Sequence, residues 1–121
     1  MVLLGVDLGT SSTKSVVSSP EGTLLGVASH EYPVLTPHPG WAEQEPATWM
    51  AAVFQSAREA LSRAGVEPRA VAGIGLSGQM HGTVCVGGDG RPLRPAIIWA
   101  DQRSAQEVNE VMARILSLIH I

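Results

Sequence analysis

A carboxylate and a run of hydroxyl side chains stand together near the start of the chain, in the segment 5-GVDLGTSSTK-14. Asp7 ends an apolar stretch, and Lys14 follows the hydroxyl run. Backbone N–H groups and hydroxyls at this spacing can surround phosphate oxygens, and a lysine adds a favourable positive charge. A carboxylate at a strand end also suits Mg²⁺. The segment is not a Walker A loop, and its composition fits a polar hairpin about as well as a phosphate loop.

A second chemical stretch, 73-GIGLSGQMHGTV-84, begins with the G-x-G-x-x-G spacing of dinucleotide sites. That match is accidental, because such a site needs a helix after the glycines and this sequence predicts a strand, a polar connection and another strand. Gln79, Met80 and His81 occupy the connection, and the small residues beside them let a ligand approach the backbone. These side chains suit a polyhydroxylated ligand with one more apolar face. A tight turn with a satisfied surface histidine competes, and the residues alone favour that turn.

The composition describes an ordinary soluble domain with a modest core. The chain has 121 residues, 45% of them hydrophobic, and a formal net charge of −3. It has no basic patch for nucleic acid, and its N-terminus reads as neither a signal peptide nor a membrane span. The single cysteine, Cys85, cannot form an internal disulfide and fits a reducing cytoplasm. Its place in the β-leaning run 83–86 predicts a buried, inert thiol.

The elements that must hold these residues begin with three predicted strands at 2–7, 14–18 and 23–32, joined by tight turns as an antiparallel meander. The Pro- and Gly-rich segment 33–46 is predicted to be an ordered surface loop. A helix then runs from Pro46 to a stop at Gly65. Its apolar residues recur at helical spacing: Trp49, Met50, Val53, Phe54, Ala57, Leu61 and Ala64.

The second half predicts extended segments at 71–76, 83–86 and 96–99, and a final helix opened by the capping box of Ser104 and Glu107. One face of that helix carries Val108, Val111, Met112 and Ile115. The order β-β-β-α-β-β-α indicates an α/β fold, a mixed sheet with helices packed on it. The last helix reaches residue 121 without a polar, Gly or Pro stop, so we expect a truncated sequence or a few foreign terminal residues, with a genuine C-terminal helix as the alternative.

Four motifs resemble a known family. The D-L-G-T-S-S-T-K run resembles the first phosphate-binding hairpin of the superfamily of actin, heat-shock chaperone ATPases and sugar kinases, which bind ATP between two ribonuclease-H-like domains. The phrase S-G-Q-M-H-G is similar to the xylulokinase signature of the FGGY carbohydrate kinases. Segments 37–46 and 94–103 resemble that family's "PxPGWxEQ-P" and "RPAIxWxDxR" motifs. The resemblance covers 2 to about 114 and leaves out 117–121.

The resemblance implies roles for particular residues. Gln79, Met80 and His81 would bind the ketose, with Trp99 and Asp101 close to the sugar pocket. On the nucleotide side, Asp7 would lie near the transferred phosphoryl group and Mg²⁺. The residues expected to face the ATP phosphates are Thr10, Ser11, Ser12 and Lys14.

Ordinary roles compete with some of these assignments. Trp99 could be core packing, and Asp101 could cap the last helix and pair with Arg103. Trp41 and Glu43 could simply order their loop. In xylulokinases the general base is an aspartate well downstream, so we expect it to be absent from this chain.

The resemblance therefore implies an actin-like, ribonuclease-H-like ATPase fold. We expect residues 1–116 to be the N-terminal part of an FGGY kinase's first domain, residues 117–121 to be a truncated or non-native tail, and the second domain to be absent. The parent protein would phosphorylate D-xylulose at O5 with ATP and Mg²⁺, whereas the 121-residue piece would be inactive. Another FGGY sugar or polyol kinase is the nearest alternative, and an actin-like ATPase or sugar-binding module is the more distant one. The oligomeric state, including a homodimer, stays open.

Overall fold

The computed structural model describes the backbone of residues 1–119 and the side chains of residues 1–116. Residues 120 and 121 of the predicted non-native tail lie outside the described residues. A single 3-10 turn at Pro68–Ala70 precedes the fifth strand. The other elements, in chain order, are β1 (Val2–Leu8), β2 (Ser12–Ser18), β3 (Leu24–Glu31), β4 (Glu43–Gln44), α1 (Pro46–Arg63), β5 (Val71–Gly78), β6 (Ala96–Ile97) and α2 (Ala105–Ile119).

The main sheet has four strands in the order β3-β2-β1-β5. Strands β1, β2 and β3 pair antiparallel, so the predicted meander is confirmed. The first turn is tight, since the Gly9 N–H donates to the Ser12 carbonyl at 3.0 Å. In the second turn Gly22 adopts a φ of 91°, a conformation that glycine takes without steric cost. Strand β5 returns beside β1 in parallel, with Asp7 paired to Ser77.

Helix α1 covers one face of this sheet. Alternation along β1 buries Val2, Leu4 and Val6 on that face, as expected for a strand with one covered side. The helix approaches through small residues, and a Cβ on Gly26 of β3 would lie only 2.3 Å from the Ala60 carbonyl oxygen. The fully buried helix positions are Pro46, Ala52, Ser56, Ala60 and Leu61.

The predicted apolar stripe of α1 was wrong at two positions. Met50 and Phe54 are 53% and 56% exposed. Small residues, Ala52, Ser56 and Ala60, are buried where the helix approaches the sheet, whereas Met50 and Phe54 lie on the exposed side of the helix.

Two predictions for the connecting segments were also wrong. The stretch 83–86 does not form a strand and makes isolated bridges, Thr83 to Ile97 and Val86 to Pro92. Pro92 has no N–H to donate to a ladder, which limits the pairing there. Cys85 is therefore exposed rather than buried. The loop 33–46 contains the buried strand β4, which pairs with β6.

Helix α2 begins where the capping box predicted, with the Val108 N–H donating to the Ser104 carbonyl at 3.0 Å. Its predicted apolar face, Val108, Val111, Met112 and Ile115, is about half exposed. Neither α1 nor α2, within residues 1–119, has the length and apolar character needed to span a bilayer.

Candidate active site

Parallel pairing brings the two chemical stretches together. The carboxyl ends of β1 and β5 lie at the same sheet edge, because the two strands run in the same direction. The Gln79 N–H donates to the Leu8 carbonyl at 2.8 Å, so the connection after β5 starts beside the turn after β1. In open α/β sheets, ligands bind outside the carboxyl ends of strands. This edge is therefore where the fold can hold a ligand.

A cleft of about 410 Å³ lies at this edge, and we call it the edge cleft. Six of the predicted site residues line the same space, together with Gly9 and Gly78. The predicted six are Asp7, Thr10, Gln79, Met80, His81 and Trp99. Met80 is 71% exposed and Trp99 is 58% exposed, so Trp99 is not core packing. Met80 and Trp99 line one cleft, so their exposed apolar surfaces are available together to a ligand.

His81 has an unusual backbone. Its φ is 61°, and among residues 1–119 it is the one residue other than glycine with a positive φ. A histidine in this left-handed region is strained, and such strain concentrates at ligand sites where the surrounding structure holds it. This conformation marks the Gln-Met-His-Gly connection as more than an ordinary turn.

The turn between β1 and β2, which was predicted to hold phosphate and which we call the phosphate turn, lines one part of the edge cleft through Gly9 and Thr10. The Tyr32 hydroxyl donates to the Gly9 carbonyl at 2.5 Å, and the Tyr32 N–H donates to the Ser11 carbonyl at 3.1 Å. Burial raises the pKa of Tyr32, which keeps this hydroxyl a donor. The turn that we predicted to hold phosphate therefore has a fixed backbone.

Asp7 also lines a groove of about 340 Å³ on the open face of the sheet, with Lys14 and Ser77 among its walls. Asp7 and Lys14 are cross-strand partners and both are exposed. Ser11 is exposed and Ser12 is partly buried on the same turn. An opposite-charge pair open to solvent at the phosphate turn can meet both a metal ion and phosphate oxygens.

The donor set suits Mg²⁺ held jointly with a nucleotide. Within residues 1–119 no group of three or more His, Cys, Asp or Glu side chains is placed to hold a metal ion by itself. Mg²⁺ usually takes one or two carboxylates and completes its shell with water and substrate phosphates. Asp7, exposed beside the turn, fits that requirement.

A cluster of charges orients the segment that carries Trp99. Glu43 accepts hydrogen bonds from Arg94 and Arg103, and Asp101 accepts from Arg103 at 2.7 and 2.8 Å. Arg103 lies over the Trp41 ring, 3.7 Å from its centroid. The hydrogen bond and charge of Arg103 hold the pKa values of both carboxyls below their ordinary range.

This cluster bears on the predicted role of Asp101. The side chain is 4% exposed and also accepts from the Ala42 N–H at 2.6 Å. It lines a neighbouring cleft of about 310 Å³ with His81 and Trp99. Its oxygens accept hydrogen bonds from Arg103 and Ala42, which supports the loops, and its place beside the sugar stays a prediction. The pairing with Arg103 was expected as the competing role.

Gln44 is the residue that the sequence did not single out. It is 1% exposed and its amide contacts Thr10, Gln79 and Trp49. The one available signal was its position in the Trp41–Pro46 segment, where a polar residue lies inside a stretch that resembles a family motif.

Comparison with known proteins identifies the family of this chain. Residues 2–117 match the N-terminal domain of the FGGY family of carbohydrate kinases. The chain belongs to this family. The expected actin-like ATPase fold is confirmed, because the structural neighbours of the chain are kinases with that fold.

Individual relatives are named as kinases of different substrates. A glycerol kinase from Thermococcus gammatolerans is 37% identical over 90% of this chain and 22% of its own length. A xylulose kinase from Staphylococcus epidermidis is 36% identical over 91% of this chain and 22% of its own length. A crystal structure of a xylulose kinase from Brucella ovis superimposes with a TM-score of 0.88, at 40% identity, over 96% of this chain and 24% of that one. The chain thus spans about a fifth of the length of the curated relatives it matches.

Proposed function

We propose that this FGGY chain is the N-terminal part of the first domain of a full-length kinase that phosphorylates D-xylulose to D-xylulose 5-phosphate with ATP. The observation that carries the proposal is the edge cleft, where the strained Gln-Met-His-Gly connection faces the phosphate turn across one small space. A phosphoryl donor and a sugar acceptor must meet within such a space.

On the sugar side, Met80 offers an apolar surface and His81 offers ring nitrogens that can hydrogen-bond to hydroxyls. Gln79 provides an amide, and Trp99 adds an aromatic surface to the lining of the cleft. This combination suits a polyol chain with one more apolar face. The Gln-Met-His sequence favours D-xylulose over glycerol, because the resemblance to xylulokinases rests on this connection.

On the nucleotide side, Thr10, Ser11, Ser12 and Lys14 provide hydroxyl, N–H and ammonium donors for the phosphates of ATP. Asp7 would hold Mg²⁺, which neutralises charge on the transferred phosphoryl group. The protein's own contribution is to orient both substrates and to exclude water, since water would otherwise accept the phosphoryl group. The general base that takes the sugar hydroxyl proton would be an aspartate in the remaining sequence, and by this proposal the chain without it is inactive.

A second candidate is a related FGGY kinase acting on glycerol or another polyol. It is favoured by the glycerol kinase relative, which is as similar to this chain as the xylulose kinase relative is. By either proposal the partners are small molecules, and the protein works in the cytoplasm.

A coupled ADP-release assay on the full-length kinase tests both candidates, with D-xylulose, D-ribulose, glycerol and L-ribulose compared at equal concentration. We expect kcat/KM to be highest for D-xylulose and to be lost in His81→Ala while the thermal midpoint is kept. Highest kcat/KM for glycerol would establish the second candidate. ADP release that no sugar stimulates would remove the kinase assignment and favour an ATPase module.

A further inference from the structure

Gln44 joins the two sides of the edge cleft through a fully used amide. Its Nε2 donates to the Thr10 carbonyl at 2.7 Å and to the Pro33 carbonyl at 3.3 Å. Its Oε1 accepts from Trp49 Nε1 at 3.1 Å and from Gln79 Nε2 at 2.9 Å. A primary amide has two donor hydrogens and an oxygen with two lone pairs, so every site is used.

Donor-only groups fix the direction of these bonds. An indole N–H can only donate, so Trp49 requires an oxygen from Gln44, and Gln44 Oε1 in turn requires the NH₂ of Gln79. At the other end, Trp99 Nε1 donates to Thr10 Oγ1 at 2.9 Å. The Thr10 hydroxyl then has its own proton for Gln79 Oε1, 3.4 Å away. The amide of Gln79 is thus held in one of its two orientations.

Through Gln44, this arrangement links the Thr10 carbonyl of the phosphate turn to the Gln79 side chain of the Gln-Met-His-Gly connection. Gln44 is 1% exposed and lies in strand β4, which pairs antiparallel with β6. Because buried polar networks are lost at high cost when one partner is removed, the network resists displacement of either side.

We propose that Gln44 is a positioning residue that sets the Gln79 amide and the Thr10 backbone relative to each other. By this proposal it keeps one Nε2 hydrogen of Gln79 directed into the cleft for a hydroxyl of the sugar. The inference rests on the proposed function, since it assumes a sugar beside Gln79 and a nucleotide beside Thr10.

Steady-state kinetics of the full-length kinase test the role. Gln44→Met has similar length and shape without hydrogen bonds, and Glu45→Gln changes the exposed neighbour as a matched control. We expect Gln44→Met to raise KM for both the sugar and ATP by about tenfold, whereas Glu45→Gln leaves both unchanged. A lower thermal midpoint with both KM values unchanged would make Gln44 purely structural and overturn the proposal.

A double-mutant cycle separates this inference from the proposed function. If Gln44 acts through Gln79, the effect of Gln44→Met on kcat/KM for the sugar should shrink to less than about threefold in a Gln79→Met background. Equal effects in both backgrounds would overturn the positioning role. If Gln79→Met alone leaves sugar kinetics unchanged, Gln79 does not contact the sugar and the positioning role is overturned, whereas the proposed function stands or fails by the substrate preference in the ADP-release assay.

Trp49→Phe gives a second route if Gln44→Met does not fold. The phenylalanine keeps an aromatic side chain, smaller than the indole, but removes the N–H that orients the Gln44 amide. We expect Trp49→Phe to raise KM for the sugar about threefold at saturating ATP, whereas the control Glu45→Gln leaves it unchanged. An unchanged KM in Trp49→Phe would contradict the orientation argument.

Discussion

The left-handed backbone of His81 allows stability and activity to be separated by one substitution. His81 is exposed, with a φ of 61°, so its side chain gains little from burial while its backbone is strained. A residue with a Cβ costs about 1–2 kcal/mol in this conformation. Glycine relieves that cost but adds about 0.4–1 kcal/mol of unfolded-state entropy. His81→Gly should therefore raise the free energy of unfolding by about 0.5–1 kcal/mol while losing sugar phosphorylation.

The matched control is Met80→Gly at the adjacent position, which is also exposed. Met80 does not have a positive φ, so glycine there relieves no strain and should destabilise by about 0.5–1 kcal/mol. Differential scanning calorimetry of the full-length kinase without ligands, paired with the ADP-release assay, measures both quantities. Opposite shifts of the thermal midpoint in the two variants are expected. A midpoint lowered equally by both would refute the idea that strain is stored at His81.

Two further predictions concern stability. Gly26→Ala should destabilise by about 3 kcal/mol in urea unfolding, because its Cβ would meet the Ala60 carbonyl oxygen at 2.3 Å. Gly75→Ala, with nothing within 4 Å of the added Cβ, should instead stabilise by about 0.4–1 kcal/mol through the lower entropy of the unfolded chain. Glu43 has a lowered pKa in the folded state, so it contributes stability above its ordinary value of 4.5 that is lost as pH falls through its folded pKa. The unfolding free energy should fall below about pH 4.5, and an equally steep fall in Arg103→Gln would contradict this cause.

Local features of the sheet could be predicted from the sequence. Strands β1 to β3 are consecutive and joined by short turns, so alternation and glycine positions determine their pairing. The parallel return of β5 is not local. The residue types alone fitted a polar hairpin at the first stretch about as well as a phosphate loop and favoured an ordinary turn at the second, so it was the resemblance to kinase motifs that indicated both halves of the edge cleft.

The structural features that could not be predicted from the sequence depend on packing between distant segments. Gln44 has no special local pattern, and its burial arises only because β4 pairs with β6 and lies against the phosphate turn. The β-leaning run 83–86 has the right composition for a strand, but its neighbour contains Pro92, so the pairing stays at single bridges. Cys85 is exposed as a direct consequence.

In the edge cleft, the side chains proposed to contact a ligand differ from the side chains that fix the surrounding backbone and amides. Met80, His81 and Trp99 are exposed, whereas the groups that fix the surrounding backbone and amides, Gln44 and Tyr32, are buried. Apolar side chains could fill the same buried volume, but they could not select one orientation of an amide or tie down a carbonyl oxygen. By the proposed function, directional bonds are needed because phosphoryl transfer depends on the separation and alignment of donor and acceptor. The buried polar positions are therefore those where loss of function should exceed loss of stability.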